Sequence, residues 1–271
     1  MKKYTLLFII LISLTSFCFA KGELKVPILM LHSFTDKIEN TNYTTITKDK
    51  FREVIGVLKA HGYENISFEE LSKYVKGEIE LNEKVYLIAI DDGYKNNYTY
   101  IYPILKENNI SALISIVGWS VGRETMLDDI TPIIPHFNWN ELNEMLASGV
   151  VEVGNHTFDM HKCNEYDSNE RKGVLQKENE SDNLYAHRFK RDINKLSELI
   201  LENCGIKEKV FCYPYGFYND NTEKMLDEMG YEITLTTDEG VNYLTQGASL
   251  KKLKRINISM YTDIERIIKQ W

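Results

Sequence analysis

Val85-Tyr-Leu-Ile-Ala-Ile-Asp-Asp-Gly-Tyr94 decides how the chain folds. Six apolar residues in a row leave no polar face, the pattern of a parallel strand covered on both sides. Two carboxylates and a glycine then end the run. Asp-Asp-Gly is good turn chemistry, and one Asp can simply cap the next helix. After a fully apolar strand, adjacent carboxylates also point in different directions. One can then bind a cation while the other faces a reacting group.

On either side of this segment, short apolar runs alternate with amphipathic stretches. Val26–Leu31, Ser111–Val117, Val150–Gly154, Lys209–Tyr213, Glu232–Thr237 and Arg255–Ile258 read as further strands. Between them, Lys50–His61 carries Phe51, Val54, Ile55, Val57 and Leu58 at helical spacing, and Ser67 with Glu70 forms a capping signature. Ile101–Asn108, Asn138–Gly149, Lys190–Cys204, Asn221–Gly230 and Asp263–Gln270 are the other expected helices. Repeated strand–helix units predict an α/β domain with a mainly parallel sheet, open or closed into a barrel. Cys163–His187 is polar and aperiodic and reads as a long surface excursion.

The chemistry-bearing residues cluster by position. His32 follows the first strand, Asp91 and Asp92 the second, His156 the strand ending at Gly154, and Tyr213-Pro-Tyr-Gly216 the strand from Lys209. All sit at carboxyl ends of expected parallel strands, the face on which α/β sheets and barrels build their sites. Asn155-His-Thr-Phe-Asp-Met-His161 holds two histidines five apart. On a helix, about 100° per residue would separate them by about 140°, poor for a shared ligand. In a loop that objection disappears, and two imidazoles plus a carboxylate make an open metal site. Each histidine can equally be an ordinary hydrogen-bonded residue. Tyr213–Gly216 reads either as a plain turn or as a backbone N–H donor to an oxyanion.

These segments resemble the polysaccharide deacetylases, the NodB-homology domains of carbohydrate esterase family 4. Ile88-Ala-Ile-Asp-Asp-Gly-Tyr94, Glu152–His161 and Tyr213–Gly216 are similar to the family's first three motifs, in order. Val26–His32 is similar to the opening of the poly-N-acetylglucosamine deacetylase branch. The resemblance implies a distorted (β/α) barrel with fewer than eight full units. It implies metal-dependent removal of acetyl groups from N-acetylglucosamine residues of a cell-wall or extracellular polysaccharide. Asp91 then matches the general base, and Asp92, His156 and His161 match the ligands of a divalent cation. Zinc is the first expectation, with cobalt, nickel or iron as alternatives. Tyr215 matches the residue whose backbone N–H holds the oxyanion. The sequence departs from the family where an Arg usually precedes the Pro of the third motif; Cys212-Tyr213 stands there. The late Leu-x-His motif that carries the usual general acid is replaced by Leu253-Lys-Arg-Ile256. His32, expected on the same rim, is the substitute acid. An O-acetyl esterase on a glycan and a non-catalytic glycan-binding relative are the competing readings. Thr157 and Asp159 are expected to orient the imidazoles. Trp119 and Trp139 can stack on sugar rings, although core packing is the commoner use of tryptophan.

Composition narrows the partners. Hydrophobic residues make up 43% of 271, enough for a real core, and Pro numbers only 5, so disorder and low complexity are excluded. Lys+Arg is 32 against Asp+Glu 40, a net charge of -8, which argues against a nucleic-acid binder. Met1-Lys-Lys3, the apolar stretch Leu6–Phe17 and the small residues Cys18 and Ala20 have the layout of a secretory signal peptide. The expected division is a signal peptide over 1–20 and a deacetylase domain over 21–271. Export to the medium or cell surface follows, with no stable membrane span after cleavage and a monomeric mature chain. A membrane anchor is the alternative, but the run is short of the roughly 20 apolar residues a span requires. Cleavage leaves Cys163, Cys204 and Cys212, an odd number that excludes a full disulfide framework and leaves one bond open.

Overall fold

A computed structural model describes residues 22–163 and 171–271. The expected signal peptide lies outside them, as does part of the Cys163–His187 stretch. Seven parallel strands form a closed ring in chain order: β1 (Ile28–Leu31), β2 (Val85–Asp92), β3 (Ala112–Ile116), β4 (Val151–Asn155), β5 (Val210–Cys212), β6 (Ile233–Glu239) and β7 (Leu253–Asn257), which pairs back with β1. Helices α1 (Lys48–Ala60) and α2 (Phe68–Val75) lie between β1 and β2. They are followed by α3 (Tyr102–Asn108), α4 (Trp139–Ala147), α5 (Asp182–Cys204), α6 (Asp220–Glu228) and α7 (Ile264–Ile268). No helix separates β6 from β7 among the described residues, so the barrel has fewer than eight full units, as expected. Its distortion is local. One residue pair, Asn155 with Phe211, joins β4 to β5, and the β6–β7 register shifts between Leu235 and Glu239.

The period of two along each strand separates two apolar clusters. Leu87 and Ala89 of β2 point into the barrel with Ile28, Leu113, Cys212, Leu235 and Leu253. Ile88 and Ile90 point outward and pack, with Ile114, Ile116, Val151 and Val153, against the helical layer. Helix α2 plugs the amino-terminal end of the barrel with Phe68, Leu71 and Tyr74. Its start is the capping box read from the sequence, with Ser67 Oγ accepting from Glu70 N and the Glu70 carboxylate accepting from Ser67 N. Asn138 and Glu141 form the same device at α4.

The surface excursion is shorter than expected. Helix α5 begins at Asp182, capped by Ser181, and buries Tyr185 and Phe189 ahead of Ile193, Leu196 and Ile200. His187 therefore sits inside the helix. The two apolar anchors of that first part are aromatic, and the second, Phe189, stands inside a charged run, Arg188 to Arg191, which hides the period. Cys163, Cys204 and Cys212 are free thiols. Among the described residues, no helix is long and apolar enough to cross a membrane.

Candidate active site

Strand alternation continues to the end of β2 and gives its two aspartates different surroundings. Asp91 belongs to the inward set and is buried in the mouth of the barrel. Asp92 would face outward, but it adopts φ 75° and turns onto the rim. A non-glycine residue there is strained, a state that surrounding structure must hold. Gly93 follows at φ 79°, where an added Cβ would sit 3.1 Å from Ile116 Cγ2.

Asp92 Oδ1 is the point of convergence. His156 Nε2 lies 3.5 Å from it and His161 Nε2 3.3 Å. All three potential ligand atoms fall within 4.8 Å of one another. His156 Nδ1 lies 2.9 Å from the Cys212 carbonyl. A carbonyl only accepts, so Nδ1 carries the proton and Nε2 presents its lone pair. Burial holds the His156 pKa down to about 4, outweighing the pull of Asp91 in the other direction, so the ring is neutral at neutral pH. Asp92 Oδ1 is itself buried without a hydrogen-bond partner. An orphan carboxylate oxygen facing two ring nitrogens fits a divalent cation of the zinc type, whose ligands are neutral imidazole and carboxylate.

Asp91, next to this cluster, is engaged by a residue that the sequence places only on the last strand. Arg255, fully buried on β7, places Nη1 2.9 Å from Asp91 Oδ1 and 2.8 Å from Oδ2, and donates from Nε to the Thr236 carbonyl at 2.6 Å. Burial pushes the Asp91 carboxyl up, but Arg255 and the nearby imidazoles of His156 and His32 together win and hold it at about 2. Thus Arg255 supplies from β7 a buried cation where the third motif lacks its Arg. One signal was available: Leu253 and Arg255 are two apart and share the inward face. His32 Nε2 lies 3.9 Å from Asp91 Oδ2.

The loop joining the two histidines is fully tied down. His156 N donates to Ile116 O, Thr157 N to Asn155 Oδ1, and Met160 N to Thr157 Oγ1. Phe158 N and Asp159 N both donate to the Asp192 carboxylate of α5. Thr157 is therefore a structural brace, whereas Asp159 pairs with Lys162 rather than with an imidazole. The Tyr213–Gly216 turn closes the opposite wall. Tyr215 has φ 57°, and its ring centroid is 4.6 Å from that of His161. Gly216 is obligatory there, since a Cβ would fall 1.9 Å from Thr237 Oγ1.

Beside the cluster opens a cavity of about 180 Å³, lined by Asp92, Tyr94, Trp119, His136 and His161 among others. Tyr94 and His136 were not singled out from the sequence. Their rings lie 4.9 Å apart, and the His136 pKa is lowered to about 4 by burial against the opposing pull of Asp92. Trp119 lines the cavity, while Trp139 packs at the margin of the outer core.

Residues 78–234 match the sequence profile of the family described as Polysaccharide deacetylase. The putative polysaccharide deacetylase YxkH of Bacillus subtilis (strain 168) is 28% identical over 235 residues, 87% of this chain and 72% of that protein. The poly-beta-1,6-N-acetyl-D-glucosamine N-deacetylase of Escherichia coli (strain K12) is 24% identical over 88% of this chain, which spans only 37% of that longer protein. The structure of a de-N-acetylase from Aggregatibacter actinomycetemcomitans superposes with a TM-score of 0.79 at 25% identity, covering 91% of this chain and all of the other. The profile runs through Asp91, Asp92, both rim histidines and the Tyr213–Gly216 turn, and leaves His32 and Arg255 outside its bounds. On the strength of that match, which takes in more than half of its residues, this chain belongs to the polysaccharide deacetylase family.

Proposed function

We propose that the protein hydrolyses the acetamido groups of N-acetylglucosamine residues in an extracellular or cell-wall polysaccharide. The observation that carries this reading is the separation of two adjacent carboxylates. Asp92 faces two imidazoles and Asp91 faces an arginine, so one is available to a cation and the other to a proton. Asp92, His156 and His161 would hold the cation, zinc first, with cobalt, nickel or iron as alternatives. When bound, a divalent cation supplies Lewis-acid polarisation of the acetyl carbonyl and a more acidic water. The Asp91 carboxylate accepts the proton of the attacking water. Arg255 keeps Asp91 ionised and oriented, at the expense of some basicity. The Tyr215 backbone N–H donates to the developing oxyanion, a contribution of about 3 kcal/mol by comparison with other such donors. As the C–N bond breaks, His32 delivers a proton to the leaving amine, which stays on the polymer as a glucosamine residue while the acyl group leaves as acetate.

Residues 1–20 are read as an export signal and 21–271 as the deacetylase domain, which puts the enzyme where such polymers are. The poly-N-acetylglucosamine activity named for the E. coli relative supports that polymer class as substrate. The test is acetate release by zinc-loaded protein from β-1,6- and β-1,4-linked N-acetylglucosamine oligomers, peptidoglycan and O-acetylated xylo-oligosaccharides, side by side. Release from an N-acetylated substrate, abolished by a chelator and restored by zinc, is expected. Release from the O-acetylated substrate alone would replace this reading with an esterase.

A further inference from the structure

The geometry points to Asp192 of α5 as the positioning residue that sets the approach of His156 and His161 to one another. This rests on the reading of Asp92, His156 and His161 as a cation site. For both Nε2 atoms to face one oxygen of Asp92, the chain must turn back within the residues from His156 to His161. The turn passes through Thr157, a fully buried β-branched residue at φ 73°. Such a conformation costs about 1–3 kcal/mol and persists only where the surroundings over-determine it.

The hydrogen bonds show what holds it. Every backbone N–H from His156 to Met160 has a partner. The partners of His156, Thr157 and Met160 come from the ends of β3 and β4 or from the loop itself. The two N–H groups in the middle, on Phe158 and Asp159, go instead to a residue more than thirty positions away. Asp192 Oδ1 accepts from Phe158 N at 2.8 Å and Oδ2 accepts from Asp159 N at 2.9 Å. Two consecutive N–H groups reach one carboxylate only if the backbone between them curves toward it. Charge-assisted bonds of this kind are roughly twice as strong as neutral ones. Helix α5 is itself anchored, since Leu196 and Ile200 pack with Val151 and Val153 of β4, the strand that ends next to His156. Asn155 ties the same strand end back to α5 through Ile193 O and to Tyr231 and Glu208. Asp192 thus transmits the position of a packed helix to the loop, without touching the cation or the sugar.

The test measures zinc binding to metal-free protein by calorimetry, with unfolding of the metal-free form followed in parallel. Asp192→Ala is expected to weaken zinc by about 10–100-fold, the range for loss of a group that orients metal ligands. Asp192→Asn keeps one acceptor oxygen in the same shape, so it should show a smaller loss and decides the matter if the alanine variant does not fold. Arg191→Ala, an exposed neighbour on α5, should bind zinc as the parent does. Zinc affinity within about twofold of the parent in the folded Asp192 variants, even with a lower unfolding temperature, would make Asp192 merely structural and overturn the assignment. A parent that binds no zinc would overturn it as well. A parent that binds zinc, with the Asp192 effect present but no acetate released, would sink the proposed reaction and leave the role of Asp192 standing.

Discussion

Two carboxylates face the inside of the same barrel at opposite ends, and their environments could hardly differ more. Asp91, at the carboxyl end of β2, meets a buried guanidinium and is held at about 2. Glu152, near the start of β4, meets only backbone: its oxygens accept from Phe68 N at 2.8 Å and Glu69 N at 2.9 Å, at the first turn of α2. Burial there outweighs those two bonds, and the Glu152 pKa is raised. The ends differ in volume too. The cavity beside Glu152 is about 710 Å³, against about 180 Å³ beside Asp92. Yet in the larger one Glu232 is already engaged by Lys76, Lys209 and Ser72, and Glu152 by the helix start. The smaller one is walled by Asp92, which carries an orphan carboxylate oxygen, and by His161, one of the two imidazoles that converge on it. Volume does not set the site apart; the convergence of a carboxylate and two imidazoles on one point does.

Arg255→Gln should give the largest break in this contrast. It leaves the buried Asp91 charge uncompensated, and loss of one partner of such a pair costs about 3–5 kcal/mol. Chemical denaturation at neutral pH measures that loss. Asp91 has a folded pKa below its ordinary value of 3.8, so its stabilising contribution is present above about 4 and disappears as pH falls toward 2. In the variant this loss should begin at higher pH, and the acidic limb of the pH–rate profile should move up with it. An unchanged acidic limb would mean that Arg255 does not set the Asp91 charge.

Glu152→Gln sharpens the contrast from the other side and should do least. Turnover is expected to stay within about twofold, and stability to change by less than about 1 kcal/mol, because one acceptor oxygen for the α2 amides survives. The pH slope has the opposite sign here. Glu152 has a raised folded pKa, so its contribution is full below the ordinary value of 4.5 and declines as pH rises through the folded value. The variant should therefore lose that decline, as read from denaturation midpoints across pH. A turnover loss as large as that of an Asp91 variant would erase the distinction between the two ends.

What was legible in the sequence was local. Val85–Ile90 announces a covered parallel strand, Ser67 with Glu70 announces a helix start, and polar residues directly after apolar runs mark the rim. What was hidden depends on ring closure. Arg255 becomes a partner of Asp91 only because β7 closes against β1 next to β2, a contact 164 residues long in sequence. Asp192 is one charge among many on α5, and nothing in its neighbours distinguishes a residue that gathers two loop amides from a solvated one. His136 reaches the cavity through an isolated bridge with Tyr94, too short to leave a strand pattern. The onset of α5 was masked because its anchor Phe189 stands between Arg188 and Lys190.

The central claim is that adjacent aspartates divide the labour, Asp92 holding a cation and Asp91 moving a proton. The most direct measurement pairs zinc content with acetate release in Asp91→Asn and Asp92→Asn. Asp91→Asn should retain zinc and lose acetate release by about 10²–10⁴-fold, since an amide cannot take the water's proton. Asp92→Asn should lose zinc first, and turnover with it. Equal loss of zinc in both variants, or normal acetate release by Asp91→Asn, would contradict the account.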